Sequence, residues 1–210
     1  MTYKSIFISS GHGLKVRGAH GILDEVDEAR KVTDRLADEL KKRGVEVFVF
    51  HDNVSVSQSE NLERITDAHN DATRELDISV HFNAFEQTDA PRGCEVLYVT
   101  QSSLAARLSA AIAEAGSLLD RGPKKRTDLY VLNNTEMPCV LLEVCFVDSE
   151  TDAELYLDNF DDICEALANE LGGTLDGEEV EPPPVTAVVP RIDIEVEGDV
   201  IITVNGVQVT

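Results

Sequence analysis

The chain has 210 residues and carries 40 acidic against 18 basic side chains, a formal net charge of −22 at pH 7. A polyanion of this strength is repelled by nucleic-acid phosphates and by anionic lipid head groups, so neither is expected as a partner. The hydrophobic share, 42%, is enough for the core of one medium domain plus an appendage.

The charge is uneven: residues 1–143 hold 23 acids and 17 bases, whereas residues 144–210 hold 17 acids and one base, Arg191. No apolar run approaches the roughly 20 residues of a membrane span. The start MTYKSIFISSGHG is interrupted by glycines too soon for a secretion signal, so synthesis in a cytoplasm without a signal peptide is expected. Cys94, Cys139, Cys145 and Cys164 lack paired C-x-x-C spacing and are expected to be free and structural.

In chain order, the apolar run at 4–9 predicts a strand that feeds directly into Ser10-Gly11-His12-Gly13. A helix is predicted over 25–43, stopped by Gly44, then a strand at 45–50 and a helix at 59–75 with His69 on the flank of its apolar face. Strands follow at 77–82 and 95–100, a helix at 104–118, a strand at 139–147 and a helix at 151–171 stopped by Gly172-Gly173. Such alternation implies an α/β domain with a mainly parallel, twisted sheet and helices on both faces, whose sites form beyond the carboxyl ends of the strands. We place this domain at 1–173.

Two histidines converge on that end of the sheet. His12 sits in a glycine-flanked turn after the first strand, and His81 lies near the end of a strand whose other face carries Ile78, Val80 and Phe82. At about 100° per residue, Glu25 shares the inward face of the first helix with Ala29, Val32, Leu36 and Leu40, while Asp24 and Asp27 point away as solvated acids. His12, Glu25 and His81 make a His₂Glu set that suits one zinc ion with a bound water in the fourth position. Glu143 interrupts the apolar run CVLLEVCFV, where an unpaired carboxylate is costly or stays protonated, and this points to a general base and acid. The alternative for Glu143 is an ion pair with an arginine. Cys145, on the same strand face as Glu143, is a weaker candidate nucleophile. His69 reads as a satisfied core histidine, and the sequence names no partner for His20 or His51.

These residues resemble the zinc-dependent N-acetylmuramoyl-L-alanine amidases of the cell-wall amidase and phage endolysin type. The likeness spans about residues 3–171. It rests on Gly11-His12-Gly13 with Gly18-Ala19-His20-Gly21, the acidic helix start at Glu25, Ile78-Ser79-Val80-His81-Phe82-Asn83-Ala84, Arg92-Gly93-Cys94-Glu95-Val96, Arg121-Gly122-Pro123-Lys124, and the run from Pro138 to Phe146. The resemblance implies zinc held by His12, Glu25 and His81, with Glu143 catalytic. It further implies hydrolysis of the amide between N-acetylmuramic acid and L-alanine in peptidoglycan. Ser9-Ser10 departs from the Asp-Pro or similar pair common in relatives. The absence of an insertion between His81 and Arg92 resembles constitutively open phage lysins, which act on the wall after release from the cell. The stem peptide carries free carboxylates, so Lys15, Arg17 and Lys124, together with Asn83, are candidate substrate-binding residues. A zinc peptidase cutting within the stem peptide and a non-catalytic wall-binding module are the alternatives.

After Gly173, residues 174–190 are acidic and then proline-rich, as in an extended linker. Residues 191–210 alternate Ile192, Ile194, Val196 and Val200, Ile202, Val204 around turn signals, which predicts a small β-hairpin-like segment. Too short to hold a core alone, it is expected to contact the wall or to pair with another copy.

Overall fold

The computed structural model describes residues 2–175 together with the backbone of Ile202–Val204 and Val207–Val209. Six strands form one sheet in the order β2-β1-β3-β6-β4-β5. They are β1 (Ser5–Ser10), β2 (Glu46–Phe50), β3 (Leu76–Asn83), β4 (Cys94–Tyr98), β5 (Asp120–Lys125) and β6 (Cys139–Phe146). β1, β2, β3 and β6 run parallel; β4 is antiparallel to β6, and β5 is parallel to β4. The expected α/β fold with a mainly parallel sheet is therefore present, with a reversed pair at one edge.

Helices cover both faces. On one side α1 (Glu25–Lys42), α3 (Ser102–Gly116) and α6 (Phe160–Gly172) pack over Ile6, Ile8, Ile78, Val80, Val140 and Leu142 in the main core. On the other, α2 (Gln58–Asn70) and the short α4 (Tyr130–Asn134) pack over Leu97, Cys139 and Leu141 in a smaller cluster. That second layer covers only part of its face. The part nearer the carboxyl ends of β3 and β6 carries the half-buried side chains of His81, Asn83 and Glu143.

α1 shows how the sequence sets an element. Asp24 caps it by accepting from the Val26 and Asp27 N–H groups, acids fill its first turn and Lys41 and Lys42 its last, which complements the helix dipole at both ends. Its buried stripe, Ala29, Val32, Leu36 and Leu40, is at most 1% exposed. Each buried leucine contributes about 1.5–3 kcal/mol by leaving water. Gly44 then turns the chain at φ 77°, a conformation that glycine adopts without strain.

Four expectations need revision. The helix expected at 59–75 ends at Asn70, because the chain turns there to bring Arg74 onto Asp77. The helix expected at 151–171 is two helices, α5 (Glu150–Asp158) and α6, broken at Asn159, whose side-chain amide bonds the Leu155 carbonyl. β5 and α4 were not anticipated, since DRGPKK lacks any apolar alternation. Cys145 does not share a face with Glu143: a register shift in the β3–β6 pairing turns it into the main core, fully buried. Burial pushes its thiol pKa far above the ordinary value, so it is no nucleophile. All four cysteines are free and buried, as expected.

The linker expected at 174–190 lies outside the described residues beyond position 175. In the C-terminal segment, β7 (Ile202–Val204) and β8 (Val207–Val209) pair antiparallel, with Val204 opposite Val207. Among the described residues no helix is long and apolar enough to cross a membrane.

Candidate active site

The β1–α1 loop, the start of α1 and the end of β3 bring His12, Glu25 and His81 together. One ligand atom from each lies within 4.8 Å of the other two. Glu25 Oε1 is 3.0 Å from His81 Nδ1 and 3.5 Å from His12 Nε2, and the histidine rings meet edge to face at 5.0 Å. Glu25 itself is 3% exposed. Its carboxylate accepts from the Ala19 N–H at 2.5 Å and the Phe82 N–H at 3.1 Å, which fix it in place. On its far side the His81 ring meets Ser79 Oγ at 3.1 Å, the kind of outer contact that sets a ligand's orientation.

Close approach explains two glycines of the motif. A Cβ on Gly11 would fall on the His81 ring, and one on Gly18 would collide with the Glu25 carboxylate and the His12 ring. The loop is braced from below: the Leu14 N–H donates to the Asp52 carbonyl, and the Asp52 carboxylate accepts from the Val54 and Ser55 N–H groups and from Asn61. Burial alone would raise the Asp52 pKa, but those hydrogen bonds hold it at about 2.

The donor chemistry fits a metal. Burial and the facing His81 lower the His12 pKa while Glu25 opposes them, so the ring is neutral and able to ligate. For His81, burial acts downward but the Glu25 carboxylate outweighs it, and the pKa rises. Two nitrogens and one carboxylate oxygen, preassembled and partly desolvated, make a donor set suited to a metal ion.

Glu143 stands directly opposite His81 in the β3–β6 pairing. Its Oε2 is buried and makes no hydrogen bond, and among the described residues no salt bridge reaches it, so the arginine-paired alternative is not what the structure holds. Burial pushes its pKa up to about 7; His81 pulls the other way, while Glu25 and Glu95 add to the rise. On the next strand Glu95 is in register with Glu143, so His81, Glu143 and Glu95 form one row across β3, β6 and β4. Asn83 donates to Glu95 at 3.2 Å.

The basic candidates are distributed differently. Lys15 is exposed in the β1–α1 loop. Arg17 is engaged by Asp24 and Asp27, and Lys124 by the Arg121 carbonyl. Asp24 is thus cap and ion-pair partner in addition to a helix-start acid. Sequence reasoning missed Glu95, although it breaks the apolar strand CEVLY as Glu143 breaks its own. His51, for which no partner was named, bonds Ser10 Oγ at 2.9 Å and Asp34 at 3.1 Å. His69 is a satisfied core histidine, as expected, held between Asp77 at 2.8 Å and Ser9 Oγ at 2.9 Å.

A family profile described as N-acetylmuramoyl-L-alanine amidase matches residues 6–171. The chain belongs to that family. The amidase fold is shared with the catalytic domain of the CD27L endolysin targeting Clostridia difficile, at TM-score 0.73 and 24% identity over 80% of this chain and 96% of that one. It is shared likewise with the amidase AmiC2 of Nostoc punctiforme, at TM-score 0.66 and 26% identity over 80% and 94%. Among curated sequences, an uncharacterized 38.4 kDa protein of Clostridium perfringens is 31% identical over 186 residues, covering 81% of this chain and 54% of the relative. The chain thus spans about half the length of the curated relatives it matches.

Proposed function

We propose that this chain hydrolyses the amide joining the lactyl group of N-acetylmuramic acid to the L-alanine of the stem peptide, with one zinc ion held by His12, Glu25 and His81. The observation that carries this reading is the half-buried Glu143, in register with His81, whose buried Oε2 makes no hydrogen bond. A bound zinc ion would supply Lewis-acid polarisation of the scissile carbonyl and acidify the attacking water. Glu143 takes the proton of that water and returns it to the leaving alanine nitrogen, which a carboxyl group with its pKa pushed up to about 7 does well in both directions. Glu25 does not move protons. Fixed by two backbone N–H groups and two histidines, it holds the ligand set at one geometry.

A lytic role of the endolysin kind is part of the proposal. The β3–β4 connection holds no helix that would cover the row of His81, Glu143 and Glu95, which supports an open site. Walls digested by the full chain should lose turbidity and gain free alanine amino termini, with muramic acid freed of peptide. Free termini further along the stem would instead show a peptidase, and wall binding without cleavage would show a non-catalytic module.

Three metal experiments accompany this test. Chelation should abolish turnover and added zinc restore it, and His81→Ala should lose both metal and activity. Gly11→Ala should fold yet bind zinc about 10–100-fold more weakly, because its Cβ displaces the His81 ring. Zinc titration read beside a thermal melt separates that effect from general destabilisation.

A further inference from the structure

The row of side chains does not stop at Glu95. Arg121, the second residue of β5, donates from Nε to Glu95 Oε2 at 2.8 Å, and its guanidinium lies 5.0 Å over the Phe146 ring. Nη1 reaches the Arg92 carbonyl at 3.4 Å, and Nη2 has no hydrogen-bond partner among the described residues. The side chain is 37% exposed. One edge of the fork is therefore anchored, one face is stacked on an aromatic ring, and the remaining edge is free to bind. The other nearby cations are built differently: Arg92 also lies over the Phe146 ring, at 5.7 Å, and over Phe85, at 5.0 Å, but it donates from Nη2 to the Glu86 carbonyl and has no carboxylate partner among the described residues. Arg17 and Arg126 are engaged by Asp24, Asp27 and Asp128, and Lys124 donates to a backbone carbonyl.

Its location fits a specific group of the substrate. Glu95 is one strand from Glu143, and β5 is one strand further, at about 4.8 Å per step, so the guanidinium lies within about 10 Å of the general base. A peptide chain spans about 3.3–3.6 Å per residue, so a carboxylate on the second residue of the stem comes within reach when the scissile amide is at Glu143. Arginine recognises carboxylates through paired N–H donors, and removing one charged partner from such a contact is felt strongly.

We propose that Arg121 binds the free carboxylate on the second residue of the stem peptide and sets the enzyme's preference for it over the carboxamide form. Glu95 and Phe146 are positioning residues that hold the guanidinium in place. This inference rests on the amidase reading above.

The test uses two soluble muramoyl tripeptides that differ only in a carboxylate or carboxamide on the second residue. The zinc-loaded wild-type chain should cleave the acid with a kcat/KM about tenfold or more above that for the amide. Arg121→Gln should bring the ratio close to one by slowing the acid alone, and Arg121→Lys should keep part of the preference. Calorimetric binding of the two compounds to the zinc-loaded Glu143→Gln chain should show the same order without turnover. Equal kcat/KM for both compounds in the wild type overturns the proposal. So does a preference that survives Arg121→Gln. Failure of the wild type to cut either compound at the lactyl–alanine amide would overturn the amidase reading and this inference together.

Discussion

Glu143→Gln should retain zinc and lower kcat by about 10²–10⁴-fold, the range that general acid–base groups supply. Glutamine preserves the shape of the site but cannot take a proton from water or return it to the leaving nitrogen. The same substitution should make the metal-free protein more stable, and the sign follows from the titration. Burial lifts the pKa of Glu143 from 4.5 to about 7 in the folded chain. A carboxyl whose pKa rises on folding costs nothing below its unfolded value, and the penalty grows as pH rises toward the folded value. Above pH 7 it amounts to about 3 kcal/mol. Melts of the metal-free proteins should therefore coincide near pH 4.5 and diverge by pH 8 in favour of the glutamine variant. A variant that melts lower at pH 8, or that keeps wild-type kcat, would remove Glu143 from the role given to it. An active-site acid that lowers stability and raises rate is a trade common in enzymes.

The second large effect lies away from the reacting groups. Asp77→Ala should cost about 3–5 kcal/mol, because it leaves a buried guanidinium without its counter-charge. Arg74, its side chain 2% exposed, makes two hydrogen bonds to the Asp77 carboxylate, at 2.9 and 2.8 Å. The same carboxylate faces His69, whose other nitrogen meets Ser9. Burial works to raise the pKa of Asp77, but His69 and Arg74 outweigh it and hold the carboxyl low. Burial in turn lowers the pKa of His69, so the ring is neutral, donating to Asp77 and accepting from Ser9. Such a loss is a large part of the roughly 5–15 kcal/mol that stabilises a domain. Chemical denaturation at pH 7 would measure it, and a change under 1 kcal/mol would show that the network contributes little. Ser9 lies on β1, which leads into the loop holding His12, and Asp77 lies on β3 with His81, so the network also ties together the two strands that position the histidines. Folded Asp77→Ala should therefore bind zinc more weakly.

Much of this was readable from residues alone, and the reasons differ by residue. His12 and His81 were visible because apolar alternation places strand ends reliably. Glu25 emerged from helical geometry, which fixes direction from a small angle per residue. Glu143 stood out because a carboxylate in an apolar strand needs a reason. The direction of β4 was not readable, since side-chain alternation looks the same in either sense. β5 was missed because an edge strand of Arg, Gly, Pro and Lys has no buried face to pattern it. The pairing of Arg17 with two acids was equally hidden: it depends on a loop returning to the start of its own following helix.

The reversal of β4 and β5 divides the sheet into two halves with separate tasks. On the parallel half, His81 and Glu143 lie toward the carboxyl ends of β3 and β6, His12 follows the end of β1, and Glu25 opens α1. On the reversed half, Glu95 and Arg121 sit at the beginnings of their strands. The segments that precede them are 84–93, which continues directly from β3, and 117–119, which follows α3. Of the two, 117–119 is separated in sequence from His12, Glu25 and His81, so substitutions there should alter the setting of Arg121 while leaving those three side chains in place.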